Sequence, residues 1–174
     1  MALSTRTLPA SNTRPTPADE PVIAAAVLAE RAVTDLYDTL LDNGALSNDL
    51  RQVGALFRDH HRAAADVLTA LIGTAAPRGR NDFVYDSYAA AMGGTNMSAI
   101  SAALRGVENT LVATHLSLLE KLEGTMGANK IAAILTVEAR QAAVLATLDG
   151  ASLDAALVND AVALTIDGVN SRTA

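Results

Sequence analysis

Apolar residues recur along this chain at intervals of three and four, in stretches separated by glycine, proline and residues that cap helices. Because 3.6 residues complete a helical turn, that spacing collects them on one face of each helix. The first stripe is Ile23, Ala26, Val27, Glu30, Val33, Tyr37 and Leu40, opened by Asp19, Glu20 and Pro21 and ending near Asn43 and Gly44. Ser47, Asn48 and Asp49 can cap a second helix, whose stripe of Leu50, Val53, Phe57, His61, Ala64, Leu68 and Leu71 closes at Gly73 and Pro77. Residues 74–96 hold Pro77, Gly79, Gly93 and Gly94 and no sustained period, apart from a short helix over 85–92. A third stripe, Ser101, Leu104, Glu108, Leu111, His115 and Leu118, starts at Ser98 and stops at Glu123 and Gly124. A fourth carries Ile131, Ile134, Leu135, Glu138, Ala142 and Leu145 as far as Gly150, and a short fifth helix over 152–164 is expected on the outside.

Two helical hairpins joined by one long crossover make an all-α four-helix bundle. In an antiparallel hairpin, residues equidistant from the turn lie at the same height. The turn around Asn43 to Ser47 is equidistant from Glu30 and His61, and Gly124 marks nearly the midpoint between Glu108 and Glu138. All four polar residues therefore meet near mid-bundle, each within an apolar stripe.

Composition narrows the picture further. Half of the 174 residues are apolar but only 3 % are aromatic, which favours closely packed helices over a sheet sandwich. The length suits one domain, 19–166, preceded by an arm, 1–18, whose Pro9, Pro15 and Pro17 and polar content leave it flexible. That arm lacks the apolar segment of a signal peptide, so a cytoplasmic location is expected. A net charge of −6 without a basic cluster argues against nucleic acid or an anionic membrane as partner. Charges are expected to interrupt every helical segment, so no membrane span is predicted. With no cysteine, any metal has to use oxygen and nitrogen ligands.

A carboxylate buried without a partner is costly, and it neutralises, pairs with a cation or binds a metal. Glu30, His61, Glu108 and Glu138 are the candidate ligands, Gln141 is a weaker one, and Tyr37 and His115 are candidates to support them. Each also has a plainer reading. Glu108 can be a core acid bonded to Gln141 or His115, and His61 a bonded core histidine; packing suffices to explain Tyr37. His60 should face a helix seam or solvent, Arg62 and Arg140 solvent, and Phe83, Tyr85 and Tyr88 an apolar seam.

These residues resemble the ferritin-like superfamily of carboxylate-bridged di-metal proteins, in particular its small bacterial domains. The resemblance covers about residues 20–150. It implies one Glu from one helix of each pair and Glu-x-x-His from the other, since i and i+3 share a face. Glu30 with Tyr37, and Glu108 with His115 at the same offset, match the single-Glu helices. The motif of the second helix has His61 where Glu belongs and Ala64 where His belongs, and that of the fourth has Gln141 in place of its His after Glu138. The departures point to a degenerate di-metal site that keeps no cofactor or a single divalent Fe, Mn or Zn. The expected function is therefore binding or assembly, as a homodimer or within a protein complex, rather than catalysis. The alternative is a mononuclear or altered dinuclear metalloprotein with oxidase, peroxidase or metal-handling activity, in which His61 is the principal nitrogen ligand.

Overall fold

The computed structural model describes residues 13–165, which form helices and no strand. The elements are α1 (Asp19–Leu41), α2 (Asn48–Ile72), α3 (Asp82–Met92), α4 (Met97–Leu119), α5 (Thr125–Leu148) and the single turn α6 (Leu153–Ala156). The chain is all-α: α1 and α2 form one antiparallel hairpin, α4 and α5 the other, and the hairpins meet through α1 against α4 and α2 against α5. The crossover carries α3 over α1 and α4, three residues longer than the predicted 85–92 because Asn81 caps it by accepting from the Val84 amide.

Capping decides the ends. The Ser47 hydroxyl accepts from the Leu50 amide to open α2, and Asn96 does the same from Ala99 to open α4. At the other end of α1, Arg51 donates to the Leu41 and Asn43 carbonyls, which have lost their helical partners. The crossover is pinned where Arg31 donates to Pro77 O and Gly79 O and where Asn43 donates to Met92 O and Gly94 O.

The most central element is α1. Ala25, Ala26, Ala29 and Ala32 are fully buried on it, and their small side chains let α2, α3 and α4 approach closely. Apolar packing falls into two clusters. One, toward α3, centres on Leu36, Leu40, Phe57, Met92, Leu104 and Leu111; the other, toward the far end, holds Val22, Ile23, Val27, Leu68, Leu118 and Ile131. Between them lies a layer of buried polar side chains.

Several expectations need correction. The fifth helix is one turn, not 152–164, because the following chain runs along α4 and satisfies its backbone there: Asn159 donates to Asn109 O, and the Leu164 amide donates to Thr114 Oγ1. Residues 13–18 of the expected flexible arm are held, since the Thr13 carbonyl accepts from the Met126 amide and the Thr16 hydroxyl donates to Glu123; residues 1–12 lie outside the described region. Phe83 is 60 % exposed instead of covering a seam, whereas Tyr85 and Tyr88 pack on the core. Finally, α5 is long and apolar enough by composition to cross a membrane, with a mean hydropathy of 1.5, although charges were expected to interrupt every helix. Here it is a bundle helix that turns Glu138 and Gln141 inward.

Candidate metal centre

The polar layer takes one or two residues from each long helix: Glu30 and Tyr37 from α1, His61 from α2, Glu108 and His115 from α4, Glu138 and Gln141 from α5. None is more than 3 % exposed. The stripes bring them there because each stands at a core position of its helix, and the hairpin turns set them at one height.

His61 lies between two carboxylates, with Nδ1 2.8 Å from Glu30 Oε2 and Nε2 3.2 Å from Glu108 Oε1. Both nitrogens therefore face acceptors, a geometry that suits the doubly protonated imidazolium. Burial alone would lower the affinity of His61 for its proton, but the charge and hydrogen bonds of Glu108 and Glu30 outweigh it and hold the group well above 6.5. Burial likewise favours a protonated Glu30, yet the hydrogen bond and charge of His61 keep it below 4.5. Tyr37 stacks on the imidazole, ring centres 5.6 Å apart, and donates to Glu108 Oε1 at 2.5 Å. Burial, then the Glu108 charge, raises the phenol well above 10.0, so its proton stays in place.

The other side of Glu30 differs. His115 Nδ1 is 2.8 Å from Glu138 Oε2, and its Nε2 is 3.4 Å from Glu30 Oε1 without hydrogen-bond geometry. Burial and the Glu30 charge raise Glu138 well above 4.5, while burial holds His115 below 6.5. A protonated Glu138 donating to a neutral His115 accounts for that contact. Glu30 Oε1, His115 Nε2 and Glu138 Oε1 are left buried without hydrogen-bond partners. Glu30, His115 and Glu138 can each aim a ligand atom at a common point, those atoms lying within 4.8 Å of one another. A two-carboxylate, one-imidazole donor set suits Fe²⁺, Mn²⁺ or Zn²⁺, and the orphaned atoms fit such an ion.

Of the four expected ligands, Glu30 and Glu138 join this group, whereas both nitrogens of His61 and one oxygen of Glu108 are engaged with each other, with Glu30 and with Tyr37. His115, expected in support, supplies the nitrogen. Its signal in the sequence was the offset of seven from Glu108, which repeats the offset of Tyr37 from Glu30. Glu108 bonds to Tyr37 and His61, not to Gln141 or His115. Gln141 instead places Nε2 3.2 Å from His60 Nδ1 and leaves Oε1 unpartnered. His60 stacks on Phe57 at the α2–α5 seam.

Ala64, where the resemblance puts a histidine, leaves that seam open. A groove of about 290 Å³ runs between α2 and α5, with Ala63, Ala64, Val67, Ala133, Ile134 and Val137 in its walls beside Lys130 and His60, and Glu30, His61, Glu138 and Gln141 at its floor.

A family model for the ferritin-like domain matches residues 18–151. The chain belongs to the ferritin-like domain family. No curated protein and no solved structure matches it. The matched span contains every residue of the polar layer and ends two residues beyond the α5 cap, so α6 and the chain that follows lie outside the family domain.

Proposed function

We propose that this ferritin-like protein is a single-metal binding protein, holding one divalent Fe, Mn or Zn through Glu30, His115 and Glu138. The observation that carries this is the division of the polar layer. On one side of Glu30 the imidazolium of His61 neutralises Glu30 and Glu108 as a built-in cation; on the other, three ligand atoms converge and are unpartnered. Two metals do not fit, because His61 fills the space between Glu30 and Glu108 and Ala64 offers no ligand atom.

A bound divalent ion supplies a fixed positive charge and a Lewis-acid centre. The residues do the rest. Glu138 gives up its proton on binding, so affinity rises with pH. Tyr37 and His61 hold Glu108 and Glu30 in place by their hydrogen bonds, and the groove between α2 and α5 reaches Glu30 and Glu138. This reading favours binding and metal handling over dioxygen chemistry at a bridged pair.

Elemental analysis after anaerobic loading with Mn²⁺ or Fe²⁺ tests it. The expected result is one ion per chain, lost in His115→Ala and in Glu138→Ala and retained in Gln141→Ala. Two ions per chain, or uptake that survives His115→Ala, would refute it.

A further inference from the structure

The groove has a chemistry of its own. Its walls are mostly apolar side chains from two helices, with Lys130 and His60 also lining it, and its floor presents acceptor atoms without hydrogen-bond partners: Gln141 Oε1 and Glu138 Oε1, on residues 3 % and 1 % exposed. Glu30 adds a second carboxyl group at the same floor, its Oε1 likewise without a hydrogen-bond partner. The two nitrogens of His61 are turned to Glu30 and Glu108, and the Gln141 amide nitrogen to His60. The floor therefore asks for a ligand that donates hydrogen bonds and carries positive charge, and the walls ask for an apolar body. The volume is about twice that of an apolar cavity that admits benzene, which limits the body to a short chain or a single ring.

We propose that the groove between α2 and α5 binds a small primary amine, its ammonium head on Gln141, Glu138 and Glu30 and its hydrocarbon between Ala64 and Ala133. An ammonium offers three donors to three acceptor groups and reaches Glu30 Oε1, the oxygen that His61 does not bond. A carboxylate head at that floor would face the unpartnered oxygens of Gln141, Glu138 and Glu30. This inference uses the side chains assigned above to the metal, so it deepens that reading by naming a competing organic cation, and the two fail separately.

The test uses the full chain, treated with chelator, titrated with hexylamine and with hexanoate and followed by backbone amide shifts. Ala64→Leu and Ala133→Leu fill the groove from opposite walls without touching the floor. Hexylamine should saturate, with shifts concentrated in α2 and α5; hexanoate should not, and each variant should weaken the amine by at least about tenfold. Saturation absent below about 10 mM, hexanoate binding as well as the amine, or both folded variants binding like the wild type would each overturn the proposal. Mn²⁺ uptake by the same three proteins is measured alongside. Uptake without amine binding discards the amine and keeps the metal; amine binding without uptake does the reverse.

Discussion

At the scale of single residues, His61 decides what the polar layer can be. Two buried carboxylates face it, so removing it leaves Glu30 and Glu108 without their cation. His61→Leu should cost about 3–5 kcal/mol in the metal-free protein, read by urea unfolding; a loss under about 1 kcal/mol would mean that the pair does not carry charge. Restoring the family pattern should do the opposite for metal. His61→Glu combined with Ala64→His and Gln141→His is expected to raise the Mn²⁺ content from one ion per chain to two, since it removes the built-in cation and supplies both missing nitrogens. The pH dependence follows from His61 and Glu138, both of which hold their protons more tightly folded than unfolded. Above pH 6.5 an unfolded histidine and an unfolded glutamate have lost those protons, so each further rise favours unfolding. His115, whose shift is downward, opposes this only below 6.5. The melting temperature of metal-free protein should fall as pH rises from 6.5 toward 9, by scanning calorimetry, and Mn²⁺ should flatten the fall. A flat metal-free profile would remove the imidazolium from the account.

At the scale of elements, the first turn of α1 is a junction. Asp19 is fully buried, and its carboxylate accepts from the amides of Thr16, Glu123 and Gly124 at 2.8, 2.7 and 2.9 Å, so it ties the start of α1 to the turn between α4 and α5. Burial would raise its proton affinity, but these backbone bonds hold it below 3.8. Gly124 completes the junction: a Cβ there would stand 2.8 Å from both Arg14 O and Asp19 Oδ2. Asp19→Ala leaves buried amides without acceptors and should cost about 2–3 kcal/mol. Gly124→Ala should cost about 1–3 kcal/mol through overpacking. Both are read by thermal melts with metal uptake unchanged, since neither residue contributes to the polar layer. In the sequence Asp19 looked like a favourable charge at a helix N-terminus, and nothing local identified the distant amides it serves.

At the scale of the molecule, the buried helix is α1, flanked by α2, α3 and α4. Its backbone should be the last to open, because reaching it requires separating both hairpins. Hydrogen exchange should be slowest across α1 and fastest in α6 and the chain beyond, where Leu153, Leu157 and Val162 are 76, 71 and 85 % exposed. Comparable protection in α1 and α6 would contradict this layering.

The helical stripes, the cap at Ser47 and the equal heights of Glu30 with His61 and Glu108 with Glu138 were legible in the chain, because periodicity, capping and hairpin register are local properties. So was the loss at Ala64 and Gln141, which a motif comparison reads position by position. Tertiary structure decided the rest. Whether a buried histidine turns both nitrogens to a carboxylate pair, as His61 does, or leaves one without a hydrogen-bond partner, as His115 does, depends on which acceptors the neighbouring helices bring within about 3 Å. The turn at Asp19 and the extended chain after α6 depend equally on partners far along the sequence. The residues at the layer were therefore determined by sequence, and their division into a built-in cation and an open ligand group by packing.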